Sequence, residues 1–461
     1  MGVDVWGCEL LDGGGFGAYK ALNCIDPKGR GLSAAVFGPA WTWETEECEK
    51  GFNWDVWWDY ERKLWVGSEN SEDKAKIPEN DEPVPLVKFF PRRPPPNPME
   101  LAFFTSFSPG IGRSWFVSGK KVLETKSGWT DVHKSTCIGD LLWPRPTLDW
   151  ESSDYEGGLP KVTCKIDQDD AWIGGNSLDI ILTPDTSKNT GMFFRSVWLP
   201  IQTLAITPQK TYETYIVYKS SSSPSEVIKL NVGLTVKALS GAVTNLRITS
   251  VRSTSALMGE WERLCIQFRI HDALPSDVLS AAGLIISIVI PQYIQKQTST
   301  VSIKLGALAV YPAYPASDVD LSKMILPWAR FSSTSGASSP LEGVLTWSVS
   351  SIFPAAQPIP EGLSQDDAHP QWLLESSIPS LFYSNIYVQR LPEDSSLSSP
   401  EDAIFIGTTG LDGTENRFYV DNASIPSELE GATRVRFHVQ GVTDRGEVIP
   451  WDKCTFVDVK V

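Results

Sequence analysis

The sequence predicts a multidomain chain with a β/α unit at the amino end, then an antiparallel β-sandwich of jelly-roll type, then a smaller sandwich of immunoglobulin or fibronectin type III kind. Three observations predict it. The chain has 461 residues, about three domains at roughly 150 residues each. Residues 1–66 carry apolar runs separated by a helical period, whereas short alternating strands fill most of the remainder. Proline-rich and serine-rich stretches lie between these regions.

Residues 2–6 (GVDVW) read as a short apolar strand, and residues 32–38 (LSAAVFG) as a nearly continuous apolar run, the pattern of a parallel strand buried on both faces. Between them Phe16, Tyr19, Leu22 and Ile25 recur every third residue after a glycine cluster. This predicts a helix, and with it one βαβ unit. A second helix is expected over 53–65, with Trp54, Trp57, Trp58 and Trp65 on one broad face and Asn53 as its cap. Residues 67–98 are charged and then proline-rich (FFPRRPPPNP), hold neither ladder nor helix, and read as a linker.

Strands are then expected at 160–166, 177–182, 212–218, 227–236, 261–270, 283–290 and 302–311, within a jelly-roll domain spanning 99–328. SSSSPSE at 220–226 is polar hairpin filler inside it. A soft stretch, FSSTSGASSP at 331–340, leads to strands at 343–349, 382–390, 403–409, 416–421, 433–440 and 454–461. Their spacing suits the terminal sandwich, assigned to 340–461.

Lys and Arg total 40 against 56 Asp and Glu, a net charge of −16 with no basic block. Nucleic acid and anionic membrane are therefore poor partners. The longest apolar run, 283–290, is far shorter than the roughly 20 residues of a membrane helix, so a soluble protein is expected. The opening MGVDVWGCELL has no basic segment before an apolar one, and Trp6 stands where a myristoylation signal would want Ser or Thr. The seven Cys (8, 24, 48, 137, 164, 265, 454) are scattered and never in CxxC spacing, which favours free thiols in the cytosol.

Tryptophan is the unusual residue. Of 18 in all, eleven fall within the first 150 residues. Indole faces stack on the C–H faces of sugars while offering one N–H donor, so a crowd of them suggests carbohydrate; any single one is more often core. Motifs for other chemistry are missing: no GxSxG, HExxH, P-loop or strand-linked GxGxxG occurs, and the four His (133, 271, 369, 438) are dispersed. Asp167, Asp169 and Asp170 before Gly174, Gly175 and Asn176 suit either a calcium-holding loop or, more simply, an exposed turn. Asn422 satisfies a glycosylation sequon that a cytosolic chain leaves unmodified, and Arg92–Arg93 read as a solvated part of the linker. No cofactor and no metal are expected.

The candidate site lies at the carboxyl ends of the two opening strands. These carry Asp4, Trp6 and Cys8 on one strand and Trp41, Trp43 and Glu44 on the next. Carboxylates beside indoles are what a glycosidase pocket uses. Asp4 as a loop anchor and Glu44 as a helix cap are the alternatives.

GVDVWGCELLDGGGFGAYKAL followed by LSAAVFGPAWTWE resembles the last two barrel strands of glycoside hydrolase family 85, the cytosolic endo-β-N-acetylglucosaminidases. The resemblance continues through FNWDVWWDYERKLW, LAFFTSFSPGIGRSWFVSGK and DDAWIGGNSLDI, and more loosely through YETYIVYK, MGEWERLCIQF and LGALAVY. It implies that residues 1–66 end a (β/α) TIM barrel, and that the reaction is hydrolysis of the GlcNAc-β-1,4-GlcNAc core of N-glycans or glycopeptides. It implies a substrate-assisted mechanism in which an Asn orients the sugar acetamide and a Glu is acid, then base. In that family the Asn, Glu and a supporting Tyr lie on earlier strands, so none is expected among these residues, and Cys8 replaces a usual Arg. The expectation is an inactive carboxyl-terminal portion, with residues 1–66 loosely ordered or docked on the first sandwich; Asp4, Trp6, Trp41, Trp43 and Glu44 would contact substrate without catalysing. The other reading is a non-catalytic carbohydrate-binding or interaction protein.

Overall fold

The structure is a computed structural model. It describes residues 1–7, 14–67, 84–90, 96, 102–142, 161–183, 193–197, 199–221, 229–238, 248–271, 280–290, 300–313, 324–334, 336, 339–351, 381–392, 399–409, 416–421 and 424–461. Cys8, Arg92, Arg93, Asn422 and most of the 220–226 loop lie outside them. The chain divides into two compact units, Met1–Pro94 with Arg145–Glu151, and Pro95–Pro144 with Ser152–Val461.

The first unit contains β1 (Gly2–Asp4), α1 (Tyr19–Ile25), α2 (Pro27–Arg30), β2 (Ala35–Phe37), α3 (Trp41–Glu44) and α4 (Trp54–Trp65). β1 and β2 pair in parallel, Val3 opposite Val36, around the expected helical connection. The three-residue period from Phe16 is realised as a 3-10 turn at Gly15–Gly17 that runs on into α1. Asp26, in the left-handed region at φ 50°, ends α1, and its Oδ1 accepts the Gly29 N–H at 3.1 Å to start α2. Asn53 caps α4 through Oδ1, which accepts the Val56 N–H at 3.1 Å.

Three expectations are corrected here. Residues 32–38 do not form a strand buried on both faces: only Ala35–Phe37 are extended, and Phe37 is 73% exposed. Trp41, Trp43 and Glu44 are not on a strand end. They form α3, because Gly38 turns the chain at φ 70° and Pro39 has no N–H to continue a ladder. The segment read as a linker is partly core, since Leu86, in the 3-10 turn Leu86–Phe89, is buried with Val3, Ala18, Leu22 and Leu64.

The second unit is antiparallel throughout its described strands. Its first part comprises β3 (Phe103–Thr105), β4 (Pro109–Val117), β5 (Lys120–Ser135), β6 (Lys161–Asp167), β7 (Ser177–Thr183), β8 (Phe193–Val197) and β9 (Leu204–Ile206). It continues with β10 (Thr211–Ser221), β11 (Lys229–Ala238), β12 (Ile248–Ala256), β13 (Glu262–Ile270), β14 (Ser280–Ile290) and β15 (Val301–Pro312). Among the described residues, one sheet runs β12-β13-β10-β15-β7-β6 with β3 also on β15, and a second runs β11-β14-β8 with β9 on β14. Alternate residues from both, including Leu178, Ile180, Ile216, Phe268 and Leu305 from the first and Val232 and Leu284 from the second, share one core. Two sheets with a common apolar interior make a sandwich.

The remaining strands are β16 (Met324–Ser333), β17 (Gly343–Ser351), β18 (Leu381–Arg390), β19 (Ile404–Thr408), β20 (Arg417–Val420), β21 (Arg434–Thr443) and β22 (Thr455–Lys460). They pair as β16-β17-β20 and β19-β18-β21-β22, and Leu345 and Trp347 of one sheet pack with Ile386, Val388 and Phe437 of the other. β16 runs through the front of the stretch read as soft, with Phe331 stacked on Phe437 at 5.1 Å.

A third core joins the two sandwiches. Tyr215, Ala307, Ala309 and Tyr311, on the outer face of the larger sheet, pack with Trp115 of the β4–β5 hairpin and with Tyr383, Tyr387 and Phe405 of the second sandwich. Arg263 Nη2 bridges Glu447 Oε1 at 2.8 Å across this joint.

Candidate functional site

In the first unit β1 stops at Asp4, whose Oδ1 accepts the Trp6 N–H at 3.0 Å and so fixes the turn that follows the strand. The loop-anchoring role weighed for Asp4 is therefore part of what it does. Trp6 is 43% exposed, and its ring lies against Gly38, where an added Cβ would fall 2.7 Å from Trp6 Cδ1 and 3.8 Å from Asp4 Oδ1. Asp4, Trp6 and Gly38 thus meet where the two parallel strands end, the edge at which β/α folds place ligands.

Trp41 reaches the same edge from α3. Its indole covers Gly15, where a Cβ would lie 2.3 Å from Cζ2, and it meets the Phe16 ring edge-on at 5.2 Å. The Gly14–Gly15 backbone is held to β1 by the Gly15 N–H, which donates to the Val5 carbonyl at 2.5 Å. Phe16 in turn stacks on Tyr60 at 5.6 Å, with Lys63 Nζ 4.6 Å from its centroid. The Trp6 indole thus lies on Gly38 and the Trp41 indole on Gly15.

Trp43 is part of a different aromatic group. It contacts Phe52 at 5.1 Å and Trp57 at 5.7 Å, and its Nε1 donates to Glu47 Oε2 at 2.8 Å. Glu44 is exposed in the single turn of α3. The five candidates are brought to one end of the unit's secondary structure but not into one cluster.

The groups that fix α3 on α4 were not singled out from sequence. Buried Thr42 donates through Oγ1 to Glu61 Oε1 at 2.5 Å and accepts the Trp57 Nε1–H at 3.2 Å. Glu61 Oε2 accepts the Trp65 Nε1–H at 2.8 Å. The i,i+4 spacing of Glu61 and Trp65 on a helix was the available signal. Chemically, the edge offers indole faces and one carboxylate, a set suited to stacking on and hydrogen bonding to a hydroxylated ring.

The acidic loop in the second unit is not free to hold a cation. Lys304 Nζ pairs with Asp167 and lies 3.9 Å from Asp170 Oδ2, which also pairs with Lys219 Nζ at 3.2 Å. Asn176 is buried and accepts the Ser108 hydroxyl at 2.8 Å.

Residues 1–115 match the family model of glycosyl hydrolase family 85. In its amino-terminal part the chain is thus similar to that glycosidase family. It resembles in particular the cytosolic endo-β-N-acetylglucosaminidases. It is 27% identical over 167 residues to cytosolic endo-beta-N-acetylglucosaminidase 1 of Arabidopsis thaliana, an alignment covering 34% of this chain and 20% of that protein. It is 26% identical over 205 residues to the cytosolic endo-beta-N-acetylglucosaminidase of Gallus gallus, covering 44% of this chain and 21% of that protein. The matched region is therefore about a fifth of the length of these curated relatives. Among solved structures, the Spr0440 glycoside hydrolase domain, Endo-D from Streptococcus pneumoniae R6, aligns over 93% of this chain and 53% of its own, with 14% identity and a TM-score of 0.44. No helix among the described residues is long and apolar enough to cross a membrane.

Proposed function

We propose that this chain is part of an endo-β-N-acetylglucosaminidase of the cytosol that hydrolyses the GlcNAc-β-1,4-GlcNAc core of N-glycans and glycopeptides. The observation that carries the reading is the family match over residues 1–115, together with Asp4 and Trp6 beside the carboxyl ends of a parallel strand pair and Trp41 on the helix that follows. In this reading β1 and β2 are the last two strands of a (β/α) TIM barrel, the larger sandwich is a jelly roll and the smaller one is of immunoglobulin or fibronectin type III kind. The Trp6 and Trp41 indoles stack on sugar rings. Asp4 accepts a hydroxyl through the carboxylate oxygen not engaged by the Trp6 N–H, and Trp43 and Glu44 extend the surface toward more distant residues of the glycan.

The reaction is a substrate-assisted, retaining hydrolysis. The acetamide oxygen of the sugar attacks its own anomeric carbon as the glycosidic bond breaks, an Asn orients the acetamide, and a Glu protonates the leaving oxygen and then deprotonates water. Residues 1–461 do not supply that Asn and Glu in this reading. Their contribution is binding and orientation.

A non-catalytic carbohydrate-binding protein is the second reading, favoured by the large share of the chain built as antiparallel sandwiches beyond the family match. Two measurements on purified residues 1–461 separate the possibilities. A core oligosaccharide carrying both N-acetylglucosamines is expected to quench tryptophan fluorescence saturably, and Trp6→Ala and Trp41→Ala are expected to abolish this. Saturation unaffected by either variant moves binding to the sandwiches. Release of high-mannose glycan from a glycopeptide is expected to be undetectable, and turnover would refute the assignment of the catalytic pair elsewhere.

A further inference from the structure

The two sheets of the smaller sandwich differ in how their outer faces handle charge. On β19-β18-β21-β22 the arginines are neutralised in place: Asp458 pairs with Arg436 Nε at 2.6 Å and with Arg434 Nη2 at 3.5 Å. β16, β17 and β20, which form the other sheet, contain no Asp or Glu, yet carry Arg330 and Arg417. In a chain with 56 acidic residues against 40 basic ones, this is a local reversal of sign.

Strand alternation puts both arginines on the outside. Ala329, Phe331, Leu345, Trp347 and Phe418 pack into the core, so the residues between them face outward. Arg330, Thr346 and Arg417 stand opposite one another across the three strands, and cross-strand neighbours about 5 Å apart share a face. Both arginines are exposed. Trp328, 51% exposed, lies to one side of this row on β16, and Tyr419, 67% exposed, lies to the other side on β20. Asp421, just past β20, has its Oδ1 engaged by the Ser424 N–H at 2.7 Å.

Trp, Tyr and Arg are the residue types that concentrate at the centres of protein–protein contacts. A guanidinium fork matches a carboxylate through parallel N–H donors, and two forks flanking one threonine hold such a group from both sides. The diagonal from Trp328 to Tyr419 spans roughly 17 Å, the length of about five extended residues. A nucleic-acid strand would meet the same arginines, but the chain's overall charge of −16 repels a polyanion more than it repels a short peptide.

We propose that the outer face of β16-β17-β20 docks an extended acidic segment of a partner protein, with a Glu or Asp carboxylate over the Arg330–Thr346–Arg417 row and apolar side chains against Trp328 and Tyr419. This surface lies outside residues 1–115 and is independent of the glycosidase reading.

The test is fluorescence anisotropy of the full chain with a fluorescein-labelled heptapeptide, Leu-Pro-Glu-Asp-Glu-Pro-Leu. Saturable binding is expected, weakening as salt is raised. Arg330→Glu is expected to weaken it at least about tenfold, and Trp328→Ala roughly three- to tenfold. Lys460→Glu, on the other sheet of the same sandwich, is expected to leave it unchanged. Thermal melting checks that each variant folds; if Arg330→Glu does not, Thr346→Lys, which adds a cation to the row, is expected to tighten binding instead. Absence of saturable binding, equal binding by the peptide with Gln and Asn in place of its acids, preference for a uridine heptanucleotide over the peptide, or unchanged affinity in the folded variants would overturn the proposal.

Discussion

The phenolic hydroxyl of Tyr215 donates a hydrogen bond to the main-chain carbonyl of Arg445, so a side chain of the larger sandwich satisfies a backbone acceptor of the smaller one. Both residues are buried, the Arg445 guanidinium lies 4.1 Å from the Tyr311 centroid, and that of Arg263 lies 4.3 Å from the Tyr215 ring. Burial holds the Tyr215 hydroxyl far above its ordinary pKa, so it remains a donor across the working pH range.

Tyr215→Phe leaves that carbonyl buried without its partner and is expected to destabilise the second unit by about 1–3 kcal/mol. Denaturant titration of the whole chain reads this as a lower midpoint, with both sandwiches still unfolding together. A midpoint equal to that of the parent would show that the bond contributes nothing.

His438 provides a pH dependence. Burial first, and then the nearby Arg436 charge, lower its pKa to about 4 against the ordinary 6.5, opposed by Asp458; Gln389, Trp451 and Phe456 complete its surroundings. In the unfolded chain the imidazole protonates near 6.5, in the folded one only near 4. Its contribution is therefore fully present above about pH 6.5 and is lost as pH falls to about 4. The expected loss is on the order of 2–3 kcal/mol. His438→Gln should flatten this slope relative to the parent between those pH values, and parallel curves would refute it.

Arg252 guards an edge. All nine residues of β12 are exposed, and among the described residues they pair on one side only, with β13 in unbroken register. Arg252 lies opposite the buried Ile266 and donates through Nη2 to the Val232 carbonyl of the facing sheet. An inward-pointing charge on an edge strand opposes pairing with another chain. Arg252→Val is expected to raise self-association in sedimentation and light scattering without a large change in melting. A monodisperse variant at high concentration would remove this role.

Gly15 has φ 61° and lies under the Trp41 indole. Gly15→Ala combines left-handed strain with a clash and is expected to displace Trp41. Core-oligosaccharide binding should then fall at least as far as in Trp41→Ala, read by the same fluorescence titration. Undiminished binding would place the sugar away from this turn.

Strands with one buried face announce themselves in the sequence. Leu264, Ile266, Phe268 and Ile270 alternate into a core, and the expected 261–270 appears as Glu262–Ile270. Likewise 302–311 appears as Val301–Pro312. β12 was unreadable because neither of its faces is buried, and β5 because Lys, Glu and Asp fill a hairpin strand that is mostly exposed. The displacement of Trp41, Trp43 and Glu44 from strand to helix was signalled by Gly38–Pro39, whose effect on the backbone outweighs the apolar run before it. Among the proposed site residues, local spacing reveals Asp4 and Trp6. The approach of Trp41 to Gly15 depends on contacts far apart along the chain, which no local period encodes.

The aromatic seam between the sandwiches limits where this polypeptide can be divided. A cut near residue 330 would bare Trp115, Tyr215 and Tyr311 on one product and Tyr383, Tyr387 and Phe405 on the other, all of them shielded in the intact chain. Each half would then carry a sticky patch with its natural cover gone. For expression, dissection or domain exchange, the two sandwiches are best handled as a single piece.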